Sequence, residues 1–220
     1  MRYENILVLG ASGSTGQLVV EQALDRGHYV TALVRPDKTF VARDGLEVIH
    51  GQVLDRTALE EAVVGNDAVV SCLGISRKNA GNPWTEFLSP PDFLEQAAKN
   101  IVAAMTTKNV SRLVAIGVGG AGDGNARVDA AARLLFRISK LGQTIVDAER
   151  MEAVLADSDL DWYVARPMRL VDGPVTGRMK VFDRGRISDK TVRADLAAWL
   201  LDVLGRDRPF ATHTELVGLG

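Results

Sequence analysis

The sequence predicts an α/β fold, a doubly wound parallel sheet with a small C-terminal part, on three observations. Apolar runs that end at glycine alternate with stretches of helical period. The first such run breaks into a glycine-rich loop that opens a helix. The 220 residues show no shift in composition that would mark a boundary, so one domain over 1–220 is expected. Short, continuous apolar runs are the pattern of strands buried on both faces, which a parallel sheet covered by helices requires.

The first strand is Ile6 to Leu9, and it stops at Gly10. Gly10, Gly13 and Gly16 then follow three apart, interleaved with Ala11, Ser12, Ser14 and Thr15, before Val19, Val20, Ala23 and Leu24 recur at helical spacing. The loop therefore joins a strand's carboxyl end to a helix's amino end. The unpaired amides there carry roughly half a positive charge, and glycine admits a pyrophosphate where a Cβ would collide. The spacing G-x-x-G-x-x-G departs from the G-x-G-x-x-G fingerprint of Rossmann folds. The flanking strand and helix, and a second strand at Tyr29 to Val34, supply the context that such a fingerprint needs. A dinucleotide is the expected ligand.

That second strand runs into V-R-P-D-K at 34–38, where a Rossmann protein chooses between its cofactors. An acid at this place suits the ribose 2′-hydroxyl of NAD, whereas Arg35 offers a guanidinium to the 2′-phosphate of NADP. Lys38 adds a nearby charge, and Asp37 lies two residues beyond the position at which an acid is expected. NADP(H) is the expected cofactor, ahead of NAD(H).

Leu46 to His50 reads as the third strand, followed by Gly51 to Asp55 and a helix opened by T-A-L-E at 57–60. That tetrad predicts a capping box with Thr57 as the cap and Glu60 reaching back, which points Gln52 and Val53 to the sheet's carboxyl edge. Ala68 to Leu73 is the fourth strand and Arg112 to Ile116 the fifth. Between them Leu94, Ala97, Ile101, Val102 and Met105 recur at helical period. A helix with Met151, Val154 and Leu155 inward precedes the sixth strand, Asp161 to Ala165, after which Arg166-Pro167-Met168-Arg169 crosses the edge. Val192 to Leu204 is the last helix, and His213 to Val217 a final strand.

Two connections are long enough to suggest function. Ile75 to Asp92 carries Trp84 and Phe87 and reads either as a lid or as satellite core. Val118 to Gly142 carries the stripe Ala131, Leu134, Leu135 and Ile138 beside Arg127, Arg133, Arg137 and Lys140, which predicts a helix with a basic outer face.

Composition narrows the function classes. A formal net charge of −2 with 25% charged residues gives no basic surplus for nucleic acid. No apolar run reaches the ~18 residues of a membrane span, and no secretory leader is visible. The single cysteine, Cys72, lies in an apolar run and reads as a small hydrophobe, which fits a cytoplasmic protein. His28, His50 and His213 make no metal motif, and Ser71-Cys72 does not sit in a nucleophile elbow.

The motifs I-L-V-L-G-A-S-G-S-T-G (6–16), V-T-A-L-V-R (30–35), G-Q-V-L-D (51–55), D-A-V-V-S-C-L-G (67–74), K-N-I-V-A-A-M (99–105), D-A-E-R-M-E-A-V-L (147–155) and D-W-Y-V-A-R-P (161–167) occur in that order. In this combination the chain resembles the atypical branch of the short-chain dehydrogenase/reductase superfamily, within it the biliverdin reductase B and flavin reductase-like group, close to the NmrA-like proteins. The resemblance implies NADP binding. It assigns the phosphates to Gly10, Ser12, Gly13, Ser14 and Thr15 in a loop completed by Ala11 and Gly16, the 2′-phosphate and adenine face to Arg35, and the adenine edge to Gln52 and Val53. Gln52 stands where the group usually has aspartate. Leu73 and Gly74 would face the adenosine ribose, Arg77 a phosphate, and Gly117, Val118, Pro167 and Met168 the nicotinamide. The stretch 174–187 resembles the group's substrate-side ribbon.

The wider superfamily's serine and Y-x-x-x-K pair are missing. None of Tyr3, Tyr29 and Tyr163 is followed by lysine four residues on, and Val118 stands where flavin reductase-like relatives have serine. Alcohol oxidation needs a positioned base; reduction of a flavin, quinone or similar planar conjugated acceptor can take its proton from solvent. A small-molecule acceptor is therefore expected, with Trp84, Asp147 and Arg169 on the substrate side and no acid or base assigned. The other class left open is a non-catalytic, NmrA-like NADP(H) sensor that signals to a protein partner. Nucleotide-sugar epimerase or dehydratase chemistry stands third.

Overall fold

A computed structural model describes residues 3–41, 43–79, 81–207 and 209–220. Its strands are β1 (Asn5–Leu9), β2 (Tyr29–Val34), β3 (Leu46–His50), β4 (Ala68–Ser71), β5 (Arg112–Ile116), β6 (Asp161–Pro167), β7 (Arg169–Val171), β8 (Met179–Val181), β9 (Lys190–Val192) and β10 (Thr214–Leu219). The helices are α1 (Ser14–Asp25), α2 (Arg56–Val63), α3 (Phe93–Thr107), α4 (Gly124–Arg127), α5 (Ala130–Ile138), α6 (Leu141–Ala156) and α7 (Arg193–Leu204).

Eight strands form one sheet in the order β3-β2-β1-β4-β5-β6-β10-β8, parallel from β3 through β10, with β8 antiparallel on the edge. β7 and β9 pair separately. The chain proceeds from β1 outward through β2 and β3, then returns to place β4, β5 and β6 on the other side, so the winding reverses between β1 and β4. Side chains alternate across each strand and feed two cores. Ile6 and Val8 join Val19, Val20, Leu196 and Leu200 beneath α1 and α7. Leu7 and Leu9 join Leu59, Leu94, Ile101, Met151 and Leu155 beneath α2, α3 and α6. This double burial is why the strands read as unbroken apolar runs.

The cap of α2 differs from the predicted box. Asp55 is the N-cap, and its carboxylate accepts from the Thr57 and Ala58 amides at 3.0 and 3.3 Å. Glu60 instead takes the Arg56 guanidinium at 2.7 Å. An ionised carboxylate two residues upstream outcompetes a hydroxyl for the same orphan amides, so the helix starts one residue before Thr57.

A second departure concerns α5. The expected inward stripe faces solvent: Leu134 and Ile138 are 58% and 57% exposed, and Ala132 is the residue buried. The Asp129 carboxylate accepts from the Ala132 amide at 2.8 Å and caps the helix.

Arg112 is fully buried on β5. It pairs with Asp161, donates to the Leu204 and Arg206 carbonyls at 3.2 and 2.6 Å at the end of α7, and lies 3.5 Å over the Phe210 ring. It ties α7 to the sheet by its last carbonyls. Among the described residues no helix is long and apolar enough to cross a membrane.

The corrected cap yields a test. Asp55→Ala should destabilise the protein by ~0.5–2 kcal/mol in urea denaturation, whereas Thr57→Ala should stay within ~0.5 kcal/mol of the parent. The reverse ranking would restore Thr57 as the cap.

Candidate functional site

In an open parallel sheet, ligands bind outside the carboxyl ends of the strands where the winding reverses. That edge gathers the loop after β1, Arg35 after β2, Gln52 and Val53 after β3, Leu73 and Gly74 after β4, Gly117 and Val118 after β5, and Pro167 and Met168 at the end of β6. From β2 to β6 it spans four strand spacings, ~19 Å, which suits an elongated ligand.

The glycine loop is built by close contacts. Gly10 has a φ of +72°, and a Cβ there would meet the Cys72 carbonyl oxygen at 2.8 Å. A Cβ on Gly16 would lie 2.1 Å from the Gly10 carbonyl oxygen, so this glycine lets α1 pack against the end of β1. Gly13 differs: its φ is −78°, it is exposed, and its Cβ would stand 3.2 Å from the Gly10 oxygen. As the N-cap, Gly13 brings no side chain to the first-turn amides of α1, where the partial positive charge of the helix end collects. A cradle of this kind fits the pyrophosphate of a dinucleotide. Burial pushes the Cys72 thiol up to about 12, so it is no nucleophile at neutral pH.

Arg35 is exposed at the end of β2, with Asp37 at 3.8 Å. The same Asp37 lies 3.8 Å from Lys38, so one carboxylate faces two cations and leaves a net positive charge at the strand end. Gln52 is exposed and Val53 buried in a turn that Asn100 of α3 holds through the Val53 and Leu54 carbonyls at 3.3 and 3.2 Å.

On the other half of the edge, the ladder of β5 and β6 continues past the strands. Gly117 donates to the Ala165 carbonyl at 2.7 Å and Gly119 to that of Pro167 at 3.0 Å. This sets Gly117 and Val118 directly beside Pro167 and Met168. A Cβ on Gly119 would fall 2.4 Å from the Met168 sulfur and one on Gly185 2.9 Å from it, so the thioether is wedged between two glycines.

Beneath this glycine loop lies a charged cluster that the sequence reading missed. Arg166, 3% exposed, grips Glu152 of α6 through two hydrogen bonds of 2.8 and 2.6 Å and also binds Asp123. Burial works against the charge on Arg166, but the hydrogen bonds to Glu152 and Asp123 hold its pKa above the ordinary value. The Arg166 hydrogen bond keeps the Asp123 carboxyl below the usual range. Nearby, Gly122 has a φ of +54°, and its amide donates to Glu149 at 3.0 Å. The loop between β5 and α4 is thus clamped from β6 and α6. The signal available in the sequence was an arginine ending an apolar strand, which has to find a carboxylate when buried.

The three residues expected on the substrate side are not brought together. Asp147 is 1% exposed, and its two oxygens accept from the Leu94 and Glu95 amides at 2.8 and 3.0 Å. It caps α3 from a neighbouring helix, a structural task that occupies both carboxylate oxygens. Arg169 is exposed at the start of β7. Trp84 is 55% exposed, and its indole N–H donates to the Ile138 carbonyl at 3.1 Å, which docks the connection before α3 on the end of α5. Arg77 pairs with Phe87 in a bridge of that connection and is half-buried, and desolvation lowers its pKa. The ribbon at 174–187 is held to the same region: Arg127 donates to the Phe182 and Asp183 carbonyls at 2.8 and 3.0 Å.

Tyr163 does not replace the missing catalytic tyrosine. It points to the α7 face and donates to Glu215 at 2.6 Å, and burial pushes its phenol up. His28 and His213 each bind a backbone carbonyl. Among the described residues no group of three or more His, Cys, Asp or Glu is placed to hold a metal ion.

Known proteins resemble this chain in sequence and in fold. The profile of a family described as NAD(P)H-binding matches residues 10–207. An uncharacterized chloroplastic protein of Arabidopsis thaliana is 26% identical over 207 residues, covering 90% of this chain and 70% of that protein. Among solved structures, the anaerobilin reductase ChuY of Escherichia coli O157:H7 superposes with a TM-score of 0.75 at 21% identity, covering 98% of this chain and 97% of ChuY. A short-chain dehydrogenase/reductase of Veillonella parvula in complex with NADP gives 0.78 at 21%, covering 99% of this chain and 95% of that one. These likenesses show a Rossmann fold.

Asp147 yields a prediction that separates its two roles. Asp147→Ala should cost ~1–2 kcal/mol of stability, the value of a lost cap with amides left unpaired, while dinucleotide affinity stays unchanged. Burial, outweighing its amide hydrogen bonds, raises the folded-state pKa of Asp147 above the unfolded value. Its ionisation therefore disfavours the folded state: the stability contribution is full below the ordinary carboxylate value and declines as pH rises through the window up to the raised one. Asp147→Asn should flatten that part of the stability-versus-pH curve in urea titrations.

Proposed function

The chain belongs to the NAD(P)H-binding family, and from that premise we propose that it is an NADPH-dependent reductase of a flavin, quinone or similar planar conjugated acceptor. The observation that carries this reading is the single edge on which the glycine cradle, Arg35 and the Gly117–Pro167 ladder lie in line. In this reading the first-turn amides of α1 and the hydroxyls of Ser12, Ser14 and Thr15 bind the pyrophosphate. Arg35 binds the 2′-phosphate, and Gln52 accepts from the adenine amino group as a neutral partner. Leu73 and Gly74 lie along the ribose, and Gly117, Val118, Pro167 and Met168 form the nicotinamide pocket. When bound, the reduced nicotinamide supplies the hydride.

The chain's own part is to hold the acceptor flat and exclude water. With Val118 in the serine position and no tyrosine–lysine pair, no side chain is assigned to proton transfer; one hydride and one solvent proton complete the reduction. The clamp of Arg166, Glu152 and Asp123 keeps the pocket's floor in place. Arg169, exposed beside this pocket, is available to an anionic acceptor. A cytoplasmic setting goes with this reading, since the one cysteine needs no oxidising compartment.

Steady-state NADPH oxidation with flavin and quinone acceptors tests the proposal. Turnover with either class is the expected result. Tight NADPH binding without turnover on any such acceptor would sink it in favour of the dinucleotide-sensing alternative. Arg35→Ala should bring NADP(H) and NAD(H) affinities together by ten- to a hundredfold, the scale of a charge-assisted hydrogen bond of ~1.5–3 kcal/mol. An unchanged ratio in a titration would remove Arg35 from the 2′-phosphate. Gly13→Val should abolish dinucleotide binding and leave the protein folded, because the φ of Gly13 is open to any residue.

A further inference from the structure

Arg133 and Arg137 stand one turn apart on the exposed side of α5, and among the described residues neither has a carboxylate within ion-pair distance. One Arg133 donor goes to the Val128 carbonyl at 3.2 Å. Beside the two guanidiniums runs the outward apolar row of Leu134 and Ile138. Between α5 and α6 opens a cavity of about 610 Å³, lined by Arg133, Leu134, Phe136, Arg137, Ile145 and Val146 among others. None of these residues belongs to the dinucleotide edge. Glu149 also lines the cavity, but its carboxylate is engaged by the Gly122 amide at 3.0 Å.

A volume of this size lies in the ~300–1,000 Å³ range of small-molecule sites. Its walls ask for an apolar body. The two unpaired guanidiniums ask for an anion with paired oxygens, which a planar donor fork matches. The negative charge of Glu149 in the same cavity turns a ligand's anionic end toward the arginines. A second copy of this chain would bring the same cations against each other. A flat surface would leave the depth of the groove unfilled.

We propose that the groove between α5 and α6 binds an amphipathic organic anion, a molecule with an apolar body and one carboxylate or sulfonate held by Arg133 and Arg137. The site is separate from the dinucleotide edge, so its test stands apart from the reductase reading.

The probe is 8-anilinonaphthalene-1-sulfonate, titrated by fluorescence into protein saturated with NADP⁺ so that the dinucleotide edge is blocked. N-phenyl-1-naphthylamine serves as the neutral control. Saturable binding of the sulfonate in this groove is expected, beside any binding in the acceptor pocket that NADP⁺ leaves open. The double substitution Arg133→Gln/Arg137→Gln should weaken the groove binding by about tenfold or more and leave the neutral dye and NADP⁺ affinity unchanged. Leu134→Asp should weaken both dyes. Sulfonate affinity that ignores the arginine substitutions overturns the proposal. So does a wild-type dimer, seen by sedimentation, that Leu134→Asp splits, or cosedimentation with phosphatidylglycerol vesicles that the arginine substitutions abolish; either result gives this face to a second copy or to a lipid surface.

Discussion

The Gly10 carbonyl is the point on which the architecture turns. β1 ends there, the loop bends away through a left-handed glycine, and α1 returns so closely that Gly16 has no room for a Cβ. The Cys72 carbonyl at the end of β4 blocks the other side of Gly10. One contact therefore fixes the distance between β1, β4 and α1, the three elements that border the place where the winding reverses. Any side chain at Gly10 or Gly16 would push α1 off the sheet and move its amides from the edge. Gly13 is the least tightly packed of the three, its Cβ position 3.2 Å from the same oxygen, and it is the exposed one.

The same edge is supported differently on its two halves. Beside β3 the supports are an amide and a single carboxylate: Asn100 holding the turn after the strand, and Asp55 capping α2. Beside β5 and β6 they form a charged network, with Arg166 reaching Glu152 and Asp123 and with Glu149 holding Gly122. Glycines dominate the loop after β5, and such a loop has little packing of its own. A buried arginine with two carboxylates gives it a fixed shape, and removing one partner would strand a charge in the interior. In the proposed reductase, a pocket that orients a flat acceptor without an acid or base would depend on that kind of rigidity more than on reactive groups.

Much of the fold was legible because parallel strands buried on both faces leave an unmistakable trace. The strands β1, β2, β3 and β5 follow the apolar runs within a residue, and the helices between them follow the 3.6-residue period. Where a feature depended on which of two neighbouring polar groups wins, the sequence misled. Thr57 and Glu60 matched a capping pattern, but Asp55, two residues earlier, held the stronger acceptor. The stripe on α5 had a helical period, and a period says which residues share a face and nothing about what lies opposite. On α5, Leu134 and Ile138 of that face met solvent.

The sequence by itself determined the alternation of strand and helix, the glycine loop between β1 and α1, and the cation after β2, because each is written in residues within a few positions of one another. Only the tertiary structure decided what Asp147, Glu152 and Arg166 do. Their partners lie 14 to 53 residues away along the chain and meet them only when α6 packs against α3 and β6. A carboxylate in a helix reads the same whether it caps a neighbouring helix, pairs with a buried arginine or faces water. Burial and distance separate these cases, and neither exists before the chain has folded.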